Sequence, residues 1–317
     1  MKHKKINLIL MIYTVICILI CSSCSTSKQN SSSLSSANNS NDTFIPPSGE
    51  VVAYYIGGEV PYEPQEGLDK YWTVYEKTSW VDESAPEETT ITFDGKKYTG
   101  KYAESHRTGF SHTITHLYNI EGELKPFNIN IDANSGDIDF LSLNFSDEKE
   151  FSTDEFKILV ERTAREYIDV NKYVKTENYN DSSYKITYKR EVEINNVQIK
   201  SDFIMTYIPR LKHLNFVTDR YKEIDFNQNS IAIIEHLSND NAIAKVKELT
   251  KSLCPEATDY KIQRQHLSIL KNGDLGVCFE AVAETSKEII FDDGTTGITN
   301  DGKLLYILVV LDKEKAQ

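Results

Sequence analysis

The sequence predicts an α+β fold in which antiparallel sheets are each covered by one helix, arranged in two or three tandem modules. Three observations predict this fold. Short runs between residues 91 and 145 alternate apolar and polar side chains, the period of a half-buried strand. Two segments that begin near residues 152 and 238 carry apolar side chains at helical spacing. Each is followed by a hairpin pattern, and a helix and a hairpin with one apolar face each bury those faces together.

The first residues have the order of a secretory signal. Three lysines within the first five residues precede an apolar stretch, Ile6 to Ile20, and small side chains follow at Ser22 and Ser23. As a helix this stretch reaches about 22 Å, which is short of a hydrocarbon core of about 30 Å. A cleaved signal peptide at residues 1–23 is therefore favoured over a permanent span.

The residues around Cys24 resemble the lipobox of bacterial lipoproteins, in which small residues precede a Cys that receives diacylglycerol and becomes the mature N-terminus. The resemblance implies cleavage between Ser23 and Cys24, and a lipid on Cys24 that holds the protein at the outer face of the cell membrane. Cys21 stands where the lipobox usually opens with Leu. An ordinary signal peptide with an incidental Cys is the alternative.

Residues 24–50 combine the lipid anchor with a linker rich in Ser and Asn that ends in Pro46 and Pro47. This composition cannot bury enough apolar surface to offset the entropy of ordering, so the sequence predicts a disordered tether. A coil of about 25 residues has a root-mean-square reach of roughly 25–30 Å.

Charge limits the classes of partner. The chain has 48 acidic side chains against 35 Lys and Arg, a formal net charge of −13. We expect no nucleic-acid partner, because neutralising phosphates needs a basic face. An anionic bilayer is disfavoured for the same reason, which leaves the lipid on Cys24 as the membrane contact. An envelope protein or glycan is the expected partner, and no cofactor is predicted.

The first predicted module, residues 51–150, is mostly β and includes a short aromatic helix. Its strands form an antiparallel meander from Ile91 to Phe145, with a turn at residues 134–136. The helix is predicted by apolar side chains at i, i+3, i+4 and i+7. These side chains are Leu68, Tyr71, Trp72 and Tyr75.

The second predicted module is residues 151–236. Ser152 and Glu155 have the spacing of a capping box at the start of its helix. A hairpin follows with its turn at Asn195-Asn196, and a further strand is predicted from Phe226 to Ile234.

The third predicted module, residues 237–317, repeats this order. Ser238 is predicted to cap its helix, which Pro255 ends. The hairpin turns at Asn272-Gly273, and the further strand is Leu304 to Leu311.

Two segments resemble the PepSY-type modules of secreted bacterial proteins, including the tandem modules of YcdB/YcdC-like proteins. Phe127-Asn-Ile-Asn-Ile-Asp132-Ala-Asn-Ser-Gly136-Asp-Ile138 is similar to their "xIDxxTGxI" hairpin, and Leu237-Ser238-Asn-Asp-Asn-Ala242-Ile243 is similar to their "LSxxxAI" helix start. The resemblance covers about half of the chain. It implies PepSY-like modules of a helix on an antiparallel sheet, and an extracellular binding or protease-modulating role without a catalytic set.

The most specific cluster of possible metal-binding side chains in the sequence consists of three histidines, His106, His112 and His116. Even spacing places them on one face of a continuous strand, where they are candidates for a metal site. No Glu lies between His112 and His116 as in HExxH, so we favour solvent-facing sheet histidines and predict no metal.

Two cysteines remain in the body of the mature chain, Cys254 and Cys278. The patterns around them favour two buried thiols, and a disulfide between them is the alternative.

The sequence contains no GxSxG, Walker A or strand-linked GxGxxG motif. We therefore predict no enzymatic activity and a lipoprotein that binds another envelope macromolecule. Two alternatives stay open, a cell-envelope hydrolase with a dispersed active site and a solute-binding lipoprotein of an importer. The importer protein requires parallel strands that alternate with helices, whereas this chain shows hairpins.

Overall fold

The computed structural model describes residues 46–74, 79–107, 112–120, 128–133, 136–144, 150–218 and 226–315. Its helices are α1 (Thr153–Tyr167), α2 (Gln228–Leu237) and α3 (Asp240–Leu253). Its strands are β1 (Glu50–Gly58), β2 (Ser79–Trp80), β3 (Glu88–Phe93), β4 (Lys96–Arg107), β5 (Ile114–Ile120), β6 (Asn128–Asp132), β7 (Ile138–Asn144), β8 (Val174–Tyr179), β9 (Tyr184–Ile194), β10 (Val197–Ile208), β11 (His213–Thr218), β12 (Asp259–Ile269), β13 (Leu275–Ile290) and β14 (Thr296–Asp312).

The predicted arrangement of separate helix-covered sheets in tandem modules is wrong. Within the described ranges all 14 strands belong to one mixed sheet, in the order β1-β14-β13-β12-β10-β11-β7-β6-β5-β4-β2. Strand β3 pairs with β4, and β8 and β9 extend the sheet from β10. The helices lie on this single sheet, and α3 contacts four strands, β1, β12, β13 and β14.

Strand β10 makes the sheet continuous. Along one edge it pairs with β9 over nearly its whole length. Its other edge is long enough for two partners, since Val197 and Gln198 pair with β12 in parallel and Phe203 to Ile208 pair with β11 in antiparallel orientation. The alternation of β10 predicted a hairpin strand, but sequence periodicity carries no information about which strands share an edge.

Strand β1 is a second feature that the sequence reading missed. It pairs in antiparallel orientation with β14, so that Glu50 lies opposite Asp312. The first and last strands of the described chain are therefore neighbours. The aromatic side chains in and after β1 masked the period of two, because Tyr54 and Tyr55 are adjacent and both buried.

The capping box of α1 is confirmed. The Ser152 hydroxyl accepts the amide of Glu155 at 3.3 Å, and the Glu155 carboxylate accepts the amide of Ser152 at 2.9 Å. The buried face of α1, which includes Phe156 and Val160, belongs to a core with side chains of β9, β10 and β11.

The strand predicted from Phe226 to Ile234 is wrong, because this segment leads into helix α2. Asn227 caps α2 by accepting the amide of Ser230 at 3.0 Å. Ser238 does not cap the next helix. It ends α2, and its hydroxyl donates to the carbonyl of Ile234, whereas Asn239 caps α3.

The short aromatic helix is reduced to one 3-10 turn at Leu68–Lys70. Tyr71 and Trp72 follow it and pack with Tyr54 in an aromatic core against β14, while Tyr75 lies outside the described residues. Leu68, Tyr71 and Trp72 are thus core residues, but the described chain makes only one helical turn there.

The meander from β3 to β7 is confirmed, since each strand pairs in antiparallel orientation with the next. Both hairpin turns are also confirmed. Asn195 and Asn196 have positive φ, as does Gly273. This left-handed region suits Asn and Gly best, which explains why these residues signalled the turns.

None of the helices within the described ranges combines the length and the hydropathy of a membrane span. The predicted signal peptide, the predicted cleavage and lipidation site at Ser23 and Cys24, and most of the predicted tether lie outside the described residues.

Candidate interaction surface

The hairpin of β13 and β14 extends well past its neighbours in the sheet. Strand β12 pairs with β13 only as far as Glu284, and β1 pairs with β14 only from Leu305 onward. Between these points β13 and β14 stay in register with each other up to the pair Ile290 and Thr296. Residues 285–303 therefore form a two-stranded β-ribbon, which we call the ribbon.

The tip of the ribbon concentrates exposed apolar side chains. Nine large apolar side chains of the described residues are exposed, and four of these lie at this tip. They are Ile289, Ile290, Phe291 and Ile298. Ile290 and Ile298 keep 77% and 75% of their surface in contact with solvent. A cluster of exposed apolar side chains of this kind marks an interaction surface more often than isolated ones do.

Both faces of the tip are apolar. Ile290 lies opposite Thr296 and Ile298 lies opposite Glu288, so the register places Ile290 and Ile298 on one face. Ile289 lies on the other face together with Phe291, whose ring packs against Gly297 of the opposite strand. The tip is thus a two-sided wedge.

The turn at the tip is well ordered and acidic. The amide of Phe291 donates to the carbonyl of Thr295 at 2.8 Å, and Asp293 accepts both the amide and the hydroxyl of Thr295. These bonds lower the pKa of Asp293. Asp292 lies beside it, and Glu288 flanks the apolar face; in the described ranges none of these three carboxylates forms a salt bridge.

The three candidate metal ligands do not share a face. His106 is paired with Thr115, and Ser105 is paired with His116, so the side chains of His106 and His116 point to opposite faces. His112 precedes β5, and its amide donates to the carbonyl of Ile269 at 2.7 Å. The parts of the chain that the structure describes hold no group of three or more possible metal ligands.

His112 belongs to an aromatic and cationic stack. Its ring lies 5.5 Å from that of Trp72, and the Arg107 guanidinium lies 4.5 Å from the Trp72 centroid. Arg107 also donates to the carbonyl of Thr73 at 3.2 Å. Burial, followed by the charges of Arg107 and Lys271, lowers the pKa of His112 to about 4. This arrangement favours a neutral packing histidine.

A thiol, an imidazole and a carboxylate meet on β12 and β13. Cys278 is paired with His266, whose Nε2 lies 2.8 Å from Oε1 of Glu280. This order resembles a cysteine nucleophile with its base. Cys278, however, is fully buried, and burial together with the charge of Glu280 raises the pKa of its thiol. A reactive cysteine needs a lowered pKa and access, so the group is not activated.

Cys254 also lies in a core, among residues of α2 and α3. Burial raises the pKa of its thiol. Both cysteines are free thiols, and the disulfide alternative is not formed.

Two serine-histidine pairs have the hydrogen-bond geometry from which a hydrolase nucleophile could be built. The Ser105 hydroxyl lies 2.7 Å from Nδ1 of His116, and the Ser142 hydroxyl lies 2.8 Å from Nε2 of His213. Ser105 has no exposed surface and is also bonded to the hydroxyl of Tyr102, while Ser142 is 6% exposed. A nucleophile must reach its substrate, so this burial favours structural hydrogen bonds.

The sequence reading missed the ribbon. It predicted a hairpin with its turn at Asn272-Gly273 and a further strand from Leu304 to Leu311, and it assigned no strand to residues 285–303. The available signal was the run Ile289-Ile290-Phe291 directly before an acidic glycine turn, with Ile298 following it. Alternating polar residues beside this run concealed that the strand continues.

No family model matches this chain, and no curated protein matches it. Among solved structures, the Bacillus megaterium YpeB C-terminal domain is similar, with 11% sequence identity and a TM-score of 0.19. The match covers 67% of this chain and 88% of that chain. An overlap at this level carries no argument about function.

Proposed function

We propose that this chain is a lipid-anchored extracytoplasmic protein that binds another envelope macromolecule through the tip of the ribbon, without catalysing a reaction. The observation that carries the proposal is the group of four exposed apolar side chains at the end of an ordered, protruding hairpin. Each such side chain gains about 1.5–3 kcal/mol when it leaves water. A partner that encloses the tip therefore gains affinity from few residues, as at the centre of many interfaces.

The location rests on the sequence of the first 24 residues. A basic head, an apolar stretch and small residues before Cys24 support export and lipidation. The PepSY-like segments support a binding or protease-modulating role in the same compartment.

Photo-crosslinking in intact cells tests binding. A photo-reactive amino acid replaces Thr296, which lies opposite Ile290 and leaves the apolar side chains in place. The control carries it at Ile158, which is exposed on α1, away from the ribbon. We expect an adduct of defined mass from position 296 and none from position 158. Equal adducts from both positions, or none from position 296, would overturn the proposed function.

Anchoring is tested separately by fractionation. The unchanged chain is expected in the membrane fraction with diacylglycerol on Cys24, and Cys24→Ser is expected to lose the lipid. Mass spectrometry that finds an unmodified thiol at Cys24 in the membrane fraction would contradict the anchor.

A further inference from the structure

We infer that the tip of the ribbon inserts into an apolar cleft of another protein whose rim is basic. The inference rests on the proposed function and adds the chemistry of the partner. Three other occupants have to be weighed against it: a bilayer, a glycan and a second copy of this chain.

The shape of the tip favours a cleft over a flat surface. Ile290 and Ile298 lie on one face, and Ile289 and Phe291 lie on the other. A flat partner covers one of these faces and leaves the second in water. A cleft covers both, so only a cleft removes all four side chains from solvent.

The negative charge at the tip indicates which residues line the rim of the cleft. Asp292 and Asp293 lie in the turn and Glu288 lies beside Ile298, so any wall that encloses the tip approaches carboxylates. Burying these charges without partners is costly, and Lys or Arg at the rim offsets that cost and steers association. The same carboxylates disfavour a second copy, since this chain carries a net charge of −13.

A bilayer fits the tip poorly. The turn carboxylates repel an anionic surface. Insertion would also carry Asp292 and Asp293, which lie in the turn at the end of the ribbon, towards the hydrocarbon, and burying their charges there is costly.

A glycan is also a poor match. Sugars are bound by aromatic stacking combined with polar groups that bond their hydroxyls. Three of the four exposed apolar side chains at the tip are isoleucines, which donate and accept no hydrogen bonds. The apolar pocket of a protein suits them better.

The ribbon is a continuous hydrogen-bonded ladder of two strands. Its ladder continues without a register shift from Val277 and Val309 to Ile290 and Thr296. At its base, the ammonium groups of Lys261 and Lys303 lie 2.6 Å from the carboxylates of Glu284 and Glu256. A preformed element loses little conformational entropy on insertion.

The full-length chain with a photo-reactive amino acid at Thr296 is the probe, irradiated in intact cells. Adducts are isolated through this chain and identified by mass spectrometry. We expect a second protein, cross-linked through a peptide that contains apolar residues and at least one Lys or Arg.

Two sets of variants measure the contributions. Ile290→Ser with Ile298→Ser is expected to lower the adduct yield at least about tenfold, because both side chains leave the interface. Glu288→Gln with Asp292→Asn is expected to lower it about threefold to tenfold. Asp259→Asn, an exposed acidic control outside the ribbon, should leave it unchanged. Circular dichroism melting confirms that each variant is folded, since all these side chains are exposed.

The outcomes separate the two proposals. An adduct with lipid, glycan or this chain itself leaves the proposed function standing and overturns the inference. So does a protein partner whose cross-linked peptides lack basic residues, or a yield that rises when Glu288 and Asp292 are neutralised. The absence of any adduct from position 296 overturns both.

Discussion

The ring of Phe291 packs so closely on Gly297 that a Cβ at Gly297 would lie 2.6 Å from the ring atom Cε2. The φ of Gly297 is not in the left-handed region, so the lack of a side chain matters here for space and not for backbone freedom. A glycine covered by an aromatic ring from the opposite strand stabilises a hairpin that has no further strand beside it.

Gly297→Ala should displace the Phe291 ring and leave the turn intact. The ring is the free end of an exposed side chain, so we expect a change below about 0.5 kcal/mol in the free energy of unfolding. Nuclear Overhauser contacts between the Phe291 ring and the Hα of residue 297 should weaken. Retention of these contacts would show that the ring does not depend on Gly297.

Gly294→Ala is the matched comparison and should act on the backbone. Gly294 has a φ of 80°, and no atom lies within 4 Å of a Cβ placed there. The cost is therefore backbone strain of about 1–2 kcal/mol. We expect amide exchange of Phe291 to accelerate at least about fivefold, because its bond to Thr295 closes this turn. Unchanged exchange would contradict the strained turn.

Acidification should destabilise the protein through His112. Its folded pKa of about 4 lies below the unfolded value of about 6.5, so the unfolded state binds the proton first. The contribution of His112 to the free energy of unfolding is then fully present above about pH 6.5. It falls by about 2–3 kcal/mol towards pH 4. His112→Gln should reduce the change in the free energy of unfolding between pH 6.5 and pH 4, measured by urea unfolding at each pH. His236→Gln, a control at the end of α2, should preserve the slope.

Asp312→Asn should destabilise the end of β14. Asp312 is 3% exposed, and it accepts Lys70 Nζ at 3.3 Å and the amide of Glu314 at 3.1 Å. Although burial alone raises the pKa of Asp312, these bonds hold it below the usual value. Its contribution is therefore present above about pH 4 and is lost as pH falls through the lowered pKa.

We expect a loss of about 1–3 kcal/mol for Asp312→Asn at pH 7, measured by urea unfolding. The control is the exposed pair of Lys313 and Asp274, which are 2.8 Å apart. Lys313→Met should change stability by less than about 1 kcal/mol. Equal effects from both substitutions would contradict the role of burial.

The thiols of Cys254 and Cys278 should resist iodoacetamide in the folded protein. Both are buried and have raised pKa values, so alkylation requires unfolding. Peptide mapping should find both residues unmodified under native conditions and fully modified in urea. Rapid native labelling of Cys278 would reopen the comparison with a cysteine nucleophile.

Local sequence signals predicted local structure well. Ser152 with Glu155 predicted the start of α1, and Asn195-Asn196 and Asn272-Gly273 predicted two turns, because each effect acts within a few residues. The segment after Phe226 was wrongly predicted as a strand, because its apolar run is too short for periodicity to distinguish a helix from a strand.

The long-range features could not be predicted in this way. Nothing in the residues of β10 indicates that its edge serves both β11 and β12, because every non-proline residue offers the same backbone donor and acceptor to a neighbouring strand. The prediction of solvent-facing sheet histidines was wrong for a related reason, since His112 and His116 are buried. The prediction from their even spacing required an uninterrupted strand. In the structure His112 lies before β5, and His106 faces away from His116.

The pairing of β1 with β14 also sets the order in which this protein can fold. Glu50 and Asp312 can meet only after residue 312 has been synthesised, and contacts so distant along the chain form slowly. A nascent chain cut short before β14 leaves β1 without its only strand partner in the described sheet, and proteases can recognise it as incomplete.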